Sequence, residues 1–580
     1  MRKVLVLIYF FPILINSQKH DYNWLLGYGN SLEPKDTFGI SIMNFNTSSL
    51  NPQIYFDKEK RIDFNGANVC MSDKVGNYIF TTNSKLILDA SNNTMLNGNA
   101  MDNSNNSYTS VIPQTILALP TSSIDKYILI HDHATLTFTS IAATPIYYSI
   151  VDMAENNGLG KVVKKQVVIS NDTLEFSKLT ATRHANGRDW WLALGGYDTN
   201  FIYTFIVQDT TIRLNNKQKV DSIIYNGYGQ ATFAPNGEFY ANISSISDQK
   251  GTKIYLYKFD RCSGHFTPID QWHVNKTIFD IGVAFSPDSK IFYFNFWPYI
   301  FQIDLQSPKK RIDTLAINDY YIEDIGGGFK RYNPFGFLQL GPDNRLYCVP
   351  NSESRNMHVI NHPNVLGEGA ELKQHYIKFP SLHLTLPMHP NFRLGPIDGS
   401  PCDSLSIDNV PVAEFRYNQD TTNYLKINFT DLSYYEPTQW HWDFGDPNSP
   451  QSTSMDTSPI HTFSATGVYD VCLTVKNTNG QNTECKKLQL GTTSTKKAIE
   501  EKMISIYPNP VREKFTLFIN DYLPIDAHLV LTDQMGNVKY TGKVYHGWNS
   551  IDISTLLNGI YYISCSDLKR DLGKCIVIKI

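Results

Sequence analysis

Apolar and polar residues alternate with a period of two through most of this chain. Trp440, Trp442 and Phe444 fall on one face of a strand, as do Val471, Leu473 and Val475. Phe415 and Tyr417 alternate in the same way. Turn-forming Asn, Gly, Asp, Ser and Pro punctuate the runs. One pattern returns through the first two-thirds. Its clearest copies are Phe233-Ala-Pro-Asn-Gly-Glu-Phe-Tyr240, Phe285-Ser-Pro-Asp-Ser-Lys-Ile-Phe-Tyr293 and Leu340-Gly-Pro-Asp-Asn-Arg-Leu-Tyr347. Each reads as strand, tight turn, aromatic strand. The prolines Pro235, Pro287 and Pro342 lie 52 and 55 residues apart. A period near fifty with several short strands per unit predicts a β-propeller. Residues 21–398 divide into seven units of about 54 residues, and six or eight also fit.

The texture changes near Asn409. About eighty residues with short alternating strands predict a β-sandwich over 409–490. A polar stretch, 491–502, reads as a linker, and 503–580 returns to alternation. The expected fold is all-β: a propeller over 18–400, then two sandwiches.

The N-terminus departs from this pattern. Arg2 and Lys3 precede an apolar run from Val4 to Ile15, and a small residue, Ser17, precedes Gln18. That is the plan of a signal peptide over 1–17, too short to cross a bilayer. No later run predicts a membrane span. The net charge is −4 among 580 residues, which gives no nucleic-acid footprint. Charged residues are only 18% and aromatics 13%, which excludes a mostly disordered chain.

Eight cysteines suit an oxidising destination. Cys472 and Cys485 flank Asn477-Thr478-Asn479-Gly480, and a hairpin closed by that tetrad sets them face to face. A two-residue turn at Asn479-Gly480 would shift the register by two. Cys565 and Cys575 flank Leu568–Leu572 in the same manner, so both pairs are expected as disulfides. Cys70, Cys262, Cys348 and Cys402 allow three pairings.

At 411–490 the chain resembles the PKD domain, an immunoglobulin-like sandwich. The resemblance is carried by Trp440-His-Trp-Asp-Phe-Gly-Asp446, with Trp440, Trp442, Phe444, Gly445 and Asp446 as its core signature, by His461-Thr-Phe463 and by Gly467–Val475. The C-terminus resembles the type A sorting domain of the type IX secretion system of Bacteroidota. Its motif residues are Tyr507, Pro508, Asn509 and Pro510, then Gly536 within Asp533-Gln-Met-Gly536, then Gly559 and Tyr561 within Gly559-Ile-Tyr-Tyr562. The N-terminal part is similar to propellers that accompany these two domains. The resemblance implies export to the cell surface or medium and the type IX machinery as a partner.

No zinc, nucleophile-elbow or phosphate-loop motif is present, so no catalytic residue, metal or cofactor is expected. His131-Asp132-His133 offers two imidazoles on one strand face, and His184 precedes a tight turn. Both suit structural roles. Asp443 and Asp446 suit turn capping or calcium. Trp272, Trp297 and Tyr299 suit sugar stacking or packing between blades. The reading is a non-enzymatic binding or adhesion protein whose propeller recognises a glycan or protein, with the sandwich as spacer. The alternative is a hydrolase acting through the propeller face. The strand Tyr22–Tyr28 is expected to close the ring against strands at 380–400.

Overall fold

The computed structural model describes residues 18–579 apart from 30–37, 48–50, 58–59, 61, 103–109, 111, 124, 137–140, 247–250, 277–280, 327, 351, 421, 491–503, 508–510, 520–526, 545–546 and 567–570. The expected signal peptide and linker lie outside the described residues.

The alternating runs become antiparallel sheets arranged as successive blades. Blade one holds Asn23–Tyr28, Gly39–Asn44 and Gln53–Asp57. Blade two holds Val69–Ser72, Tyr78–Thr82 and Ile87–Asp89. Blade three, from Ile116–Pro120 to Lys161–Ser170, carries Leu174–Glu175 as an extra strand. Blades four, five and six have four strands each and span 180–224, 228–274 and 281–317. Blade seven runs from Leu338–Leu340 to Leu372–His383. The described residues thus form a seven-bladed propeller. The repeated Pro–Asp/Asn motif is the turn between a blade's first and second strands. In blade five, Gly237 donates to the Ala234 carbonyl (2.8 Å) and Ala234 to the Phe239 carbonyl (2.9 Å). Aromatic residues that follow each turn fill the space between blades, as Tyr240, Phe259 and Phe266 do.

Ring closure differs from the expectation. Asn23–Tyr28 pairs in a ladder with Gly39–Asn44 and not with the C-terminal strand. It packs beside that strand instead. A Cβ on Gly27 would stand 2.3 Å from the Gly39 carbonyl and 3.1 Å from the Leu382 carbonyl, and Gly27 has φ +116°, so the position requires glycine. Trp24 shares a core with Leu386 and Met388. The irregular segment after His383 therefore lies where a further strand of blade one would stand. Packing and the Arg393–Asp21 ion pair (2.6 Å) hold the seam.

The second domain has one sheet of Phe415–Gln419, Lys426–Asp431 and Ile460–Thr462. Its facing sheet holds Thr453–Ser454, Gln439–Asp443, Gly467–Asn477 and Gly480–Leu490. The third domain repeats the plan with sheets of three and four strands between Ile504 and Lys579. Each sandwich pins a corner through one tyrosine. Tyr469 donates to the Ala465 carbonyl (2.8 Å) and Tyr561 to the Leu557 carbonyl (2.6 Å).

Candidate functional site

A propeller has two ends, and this one treats them differently. At one end lie the turns between first and second strands. The chain leaving the propeller crosses those turns: Asn391 donates to the Pro235 carbonyl (2.8 Å), Arg261 donates to the Gly395 carbonyl, and Ile397 donates to the Ala185 carbonyl (2.8 Å). A disulfide, Cys262–Cys402, joins blade five to this segment. The first sandwich then docks on the same end. Arg416 Nε donates to the Asp343 carbonyl (3.1 Å), and Glu414 pairs with Lys19 (2.6 Å). Leu432, Ser433 and Tyr434 border the cavity of about 180 Å³ at this mouth of the ring, together with His389 and Arg393.

At the other end the innermost strands begin. Here Glu175, Lys178 and Asp132 are fully buried. The Glu175 carboxylate accepts from the Gly195 amide (3.1 Å) and from Asn242 Nδ2 (3.0 Å), tying blades three, four and five. Burial pushes its pKa up, with Lys178, Asn242 and Gly195 opposing. Burial likewise pulls the Lys178 amine down, opposed by Glu175. Lys178 donates to the Ile243 carbonyl (2.9 Å). Asp132 Oδ2 accepts from the Ser177 amide (3.0 Å), and burial drives its carboxyl well above the usual range. Sequence reasoning missed Glu175 and Lys178. The one signal was two charges set among Leu174, Phe176 and Leu179.

The histidines singled out by sequence take structural places. His131 contacts Ser149 Oγ (3.1 Å), and burial holds its pKa down at about 4. His133 faces Asp102 (3.4 Å). His184 Nδ1 accepts from the Asn186 amide (3.0 Å), and its ring lies against Trp191. Among the described residues no group of three or more His, Cys, Asp or Glu could hold a metal. Trp272 stacks on Phe292 and Phe294 between blades, and Tyr299 packs on Phe301.

Trp297 instead abuts Tyr320 (5.3 Å, edge to face) at the end remote from the sandwich. Tyr320 opens the connection from blade six to blade seven. That connection carries a two-stranded ribbon, Ile322–Gly326 with Phe329–Tyr332. Tyr320, Phe329 and Tyr332 are 53%, 60% and 55% exposed. Tyr320 holds φ +58°, unusual for a bulky residue. Its amide donates to Asn318 Oδ1 (2.9 Å), while Asn318 Nδ2 donates to the Asn333 carbonyl (2.7 Å). The rings are thus presented on a fixed backbone. Gly326 pairs with Phe329 at the end of the ribbon's ladder, and Gly328 lies beside it at φ +80°.

In the first sandwich Trp442 and Phe444 are buried in the core, and Trp440 is half-buried with its indole on Asp431 (2.9 Å). Gly445 turns at φ +61° against Asp470, where a Cβ would meet the Asp470 carbonyl at 2.6 Å. Asp446 accepts from the Ser464 amide (2.8 Å), the Ser464 hydroxyl (2.6 Å) and His461 Nε2 (3.2 Å). Burial would raise its pKa, but these bonds hold it below the usual value. Asp443 caps the Gly445 amide (2.9 Å). Both carboxylates serve the turn.

Asn477 pairs with Gly480, which brings Cys472 opposite Cys485, and the two form a disulfide. The expected Cys565–Cys575 bridge is not among the disulfides of the described residues. Cys565 stands opposite Gly573 and Cys575 opposite Ile563, two positions off the expected register. The two registers differ by two residues, which keeps each side chain on its face, and an irregularity at Cys565/Ser566 beside the turn accompanies the observed one. Of the sorting motif, Tyr507 ends the strand Ile504–Tyr507, and Pro508, Asn509 and Pro510 lie outside the described residues. Gly536 turns at φ +83°, and Gly559 opens the strand carrying Tyr561.

Residues 409–491 match the family model of the PKD domain. Residues 505–579 match that of the secretion system C-terminal sorting domain. The chain carries both domains. It is therefore a secreted surface protein whose partner in export is the type IX secretion machinery. No curated protein matches it. Among solved structures, the PKD1 domain of the Vibrio cholerae metalloprotease PrtV is 24% identical; the match covers 14% of this chain and 99% of that one, with a TM-score of 0.13. A candidate 6-phosphogluconolactonase from Bacteroides uniformis is 12% identical over 63% of this chain and 98% of that one, with a TM-score of 0.37. PorZ, a surface component of the type IX secretion system of Porphyromonas gingivalis, is 10% identical over 93% and 73%, with a TM-score of 0.27. Among the described residues no helix is long and apolar enough to cross a membrane.

Proposed function

We propose that this surface protein is a non-enzymatic binding or adhesion protein, and that its propeller engages an extracellular glycan or protein at the end remote from the PKD domain. The observation that carries this reading is the aromatic ribbon there, with Tyr320, Phe329 and Tyr332 exposed on a hydrogen-bonded frame. Exposed aromatic surface of this kind marks interaction sites, and rigid rings lose little entropy on binding. The PKD domain acts as a docked spacer that orients the propeller and covers its other mouth. The sorting domain is the export address, preceded by a signal peptide over 1–17 and a linker over 491–502.

The test is a glycan and protein array probed with the exported chain and with a Tyr320→Ala, Tyr332→Ala double variant. The expected result is saturable binding by the first and at least about tenfold weaker binding by the second, the scale of losing aromatic contacts. Equal binding by both would defeat the site.

A second reading, a hydrolase of polysaccharide or peptide, draws on Glu175, whose buried carboxyl is pushed towards its protonated, acid-donating form. Glu175→Gln separates the two. It leaves binding in place under the first reading and abolishes turnover under the second.

A further inference from the structure

The joint between propeller and PKD domain encloses a cleft of about 690 Å³, within the size range of small-ligand sites. Phe45–Thr47 and the Pro342–Asp343 turn border it from the propeller side, and Arg416, Lys486 and Gln489 from the sandwich side. Domain joints of this kind are common ligand sites.

Its lysines are answered: Glu414 pairs with Lys19 at 2.6 Å and with Lys486, and Glu484 faces the same two cations. Asp343 is taken by the fully buried Arg345 (2.7 Å), and Asp470 by Lys487 (3.7 Å). The acid nearest Arg416, Asp343, is the one already held by Arg345. Arg416 Nε donates to the Asp343 backbone carbonyl, and its terminal NH₂ groups have no partner among the described residues. Yet the residue is only 5% exposed and borders the cleft. A guanidinium taken out of water without a counter-charge is costly. Burial accordingly pulls its pKa below the usual arginine value.

We propose that the cleft is a second binding site, specific for an anionic ligand whose carboxylate or phosphate group is received by Arg416. The planar fork of arginine fits either group through two parallel hydrogen bonds. Lys487, which also borders the cleft and has only the 3.7 Å contact to Asp470, adds a cation at the same wall. Asn46, Gln53 and Gln489 supply amides for the polar body of the ligand. This site lies at the opposite end of the ring from the aromatic ribbon and stands whatever binds there.

Calorimetric titration of the exported chain tests it, with trigalacturonate, inorganic phosphate and neutral maltotriose as probes. One or both anions should bind and maltotriose should not; which anion binds tells a uronate site from a phosphate site. Arg416→Gln should weaken that binding about tenfold or more, as expected for losing hydrogen bonds to a charged group. Gln489→Trp, at an exposed strand position, narrows the cleft without touching the core. It should weaken binding too, and it decides the matter if Arg416→Gln fails to fold. The proposal is overturned if neither anion binds the wild type, if maltotriose binds as well as the anions, or if binding survives unchanged in the folded variants.

Discussion

His20, His131, His358 and His383 are at most 5% exposed inside the propeller. Burial holds their pKa values at about 4, about 4, about 3 and about 4. The fold keeps them neutral, so an unfolded chain binds more protons below its own histidine pKa of 6.5. The stability they allow is complete above that value and is lost as pH falls from there towards about 4. Each costs about 2 kcal/mol at about pH 5. The melting temperature should therefore fall as pH is lowered from about 7 to about 5. His383, where burial is opposed only by the backbone at Ser381 and Asn356 and by no acid, is the place to check this. His383→Leu should flatten the slope of melting temperature against pH, and an unaltered slope would contradict the account. At Asp446, three donor atoms depend on one carboxylate. Asp446→Ala should lower PKD stability by about 2–3 kcal/mol in denaturant unfolding, because His461 and the Ser464 donors lose their acceptor.

Among the elements, legibility followed locality. The Pro–Asp/Asn turns, the strand alternation and the Cys472–Cys485 hairpin were readable because each is set by residues close in sequence. The Cys565–Cys575 hairpin was misread because a shift of two residues leaves every side chain on its face, so apolar alternation cannot tell the two registers apart, and the irregularity at Cys565/Ser566 has no sequence signal. Ring closure was misread because Asn23–Tyr28 pairs with the next strand, Gly39–Asn44, while the residues that meet it at the seam, Leu382, Leu386 and Met388, are hundreds of positions away and pack rather than pair. The partner of Cys262 was open for the same reason: 140 residues separate it from Cys402. The longer loop makes that bond the stronger constraint. Replacing both Cys262 and Cys402 by serine should cost about 5 kcal/mol, against about 3 kcal/mol for Cys472 and Cys485. Denaturant midpoints of the two double variants compare them directly, and a reversed order would count against the entropic argument.

For the whole molecule, the sequence made the three domains and the export address readable, but not their docking. Glu414 and Arg416 read as ordinary strand polar residues, and only the assembled joint sets them against Lys19 and Asp343. The buried Glu175 was likewise hidden, since Gly195 and Asn242 reach it from other blades. If residues 503–580 are the address, a chain ending at Thr492 should fold but remain in the periplasm of a host with the type IX system. Cell fractionation reads this, and surface delivery of the truncated chain would remove the assignment.

The central claim is recognition at the propeller end remote from the PKD domain. Hydrogen exchange on the exported chain, with and without the ligand selected by the array, tests it most directly. The account predicts slowed exchange in the 317–337 connection and its neighbours at that end, with the ligand recovered unchanged. Slowed exchange confined to the turns beneath the PKD domain, or conversion of the ligand that Glu175→Gln abolishes, would contradict it.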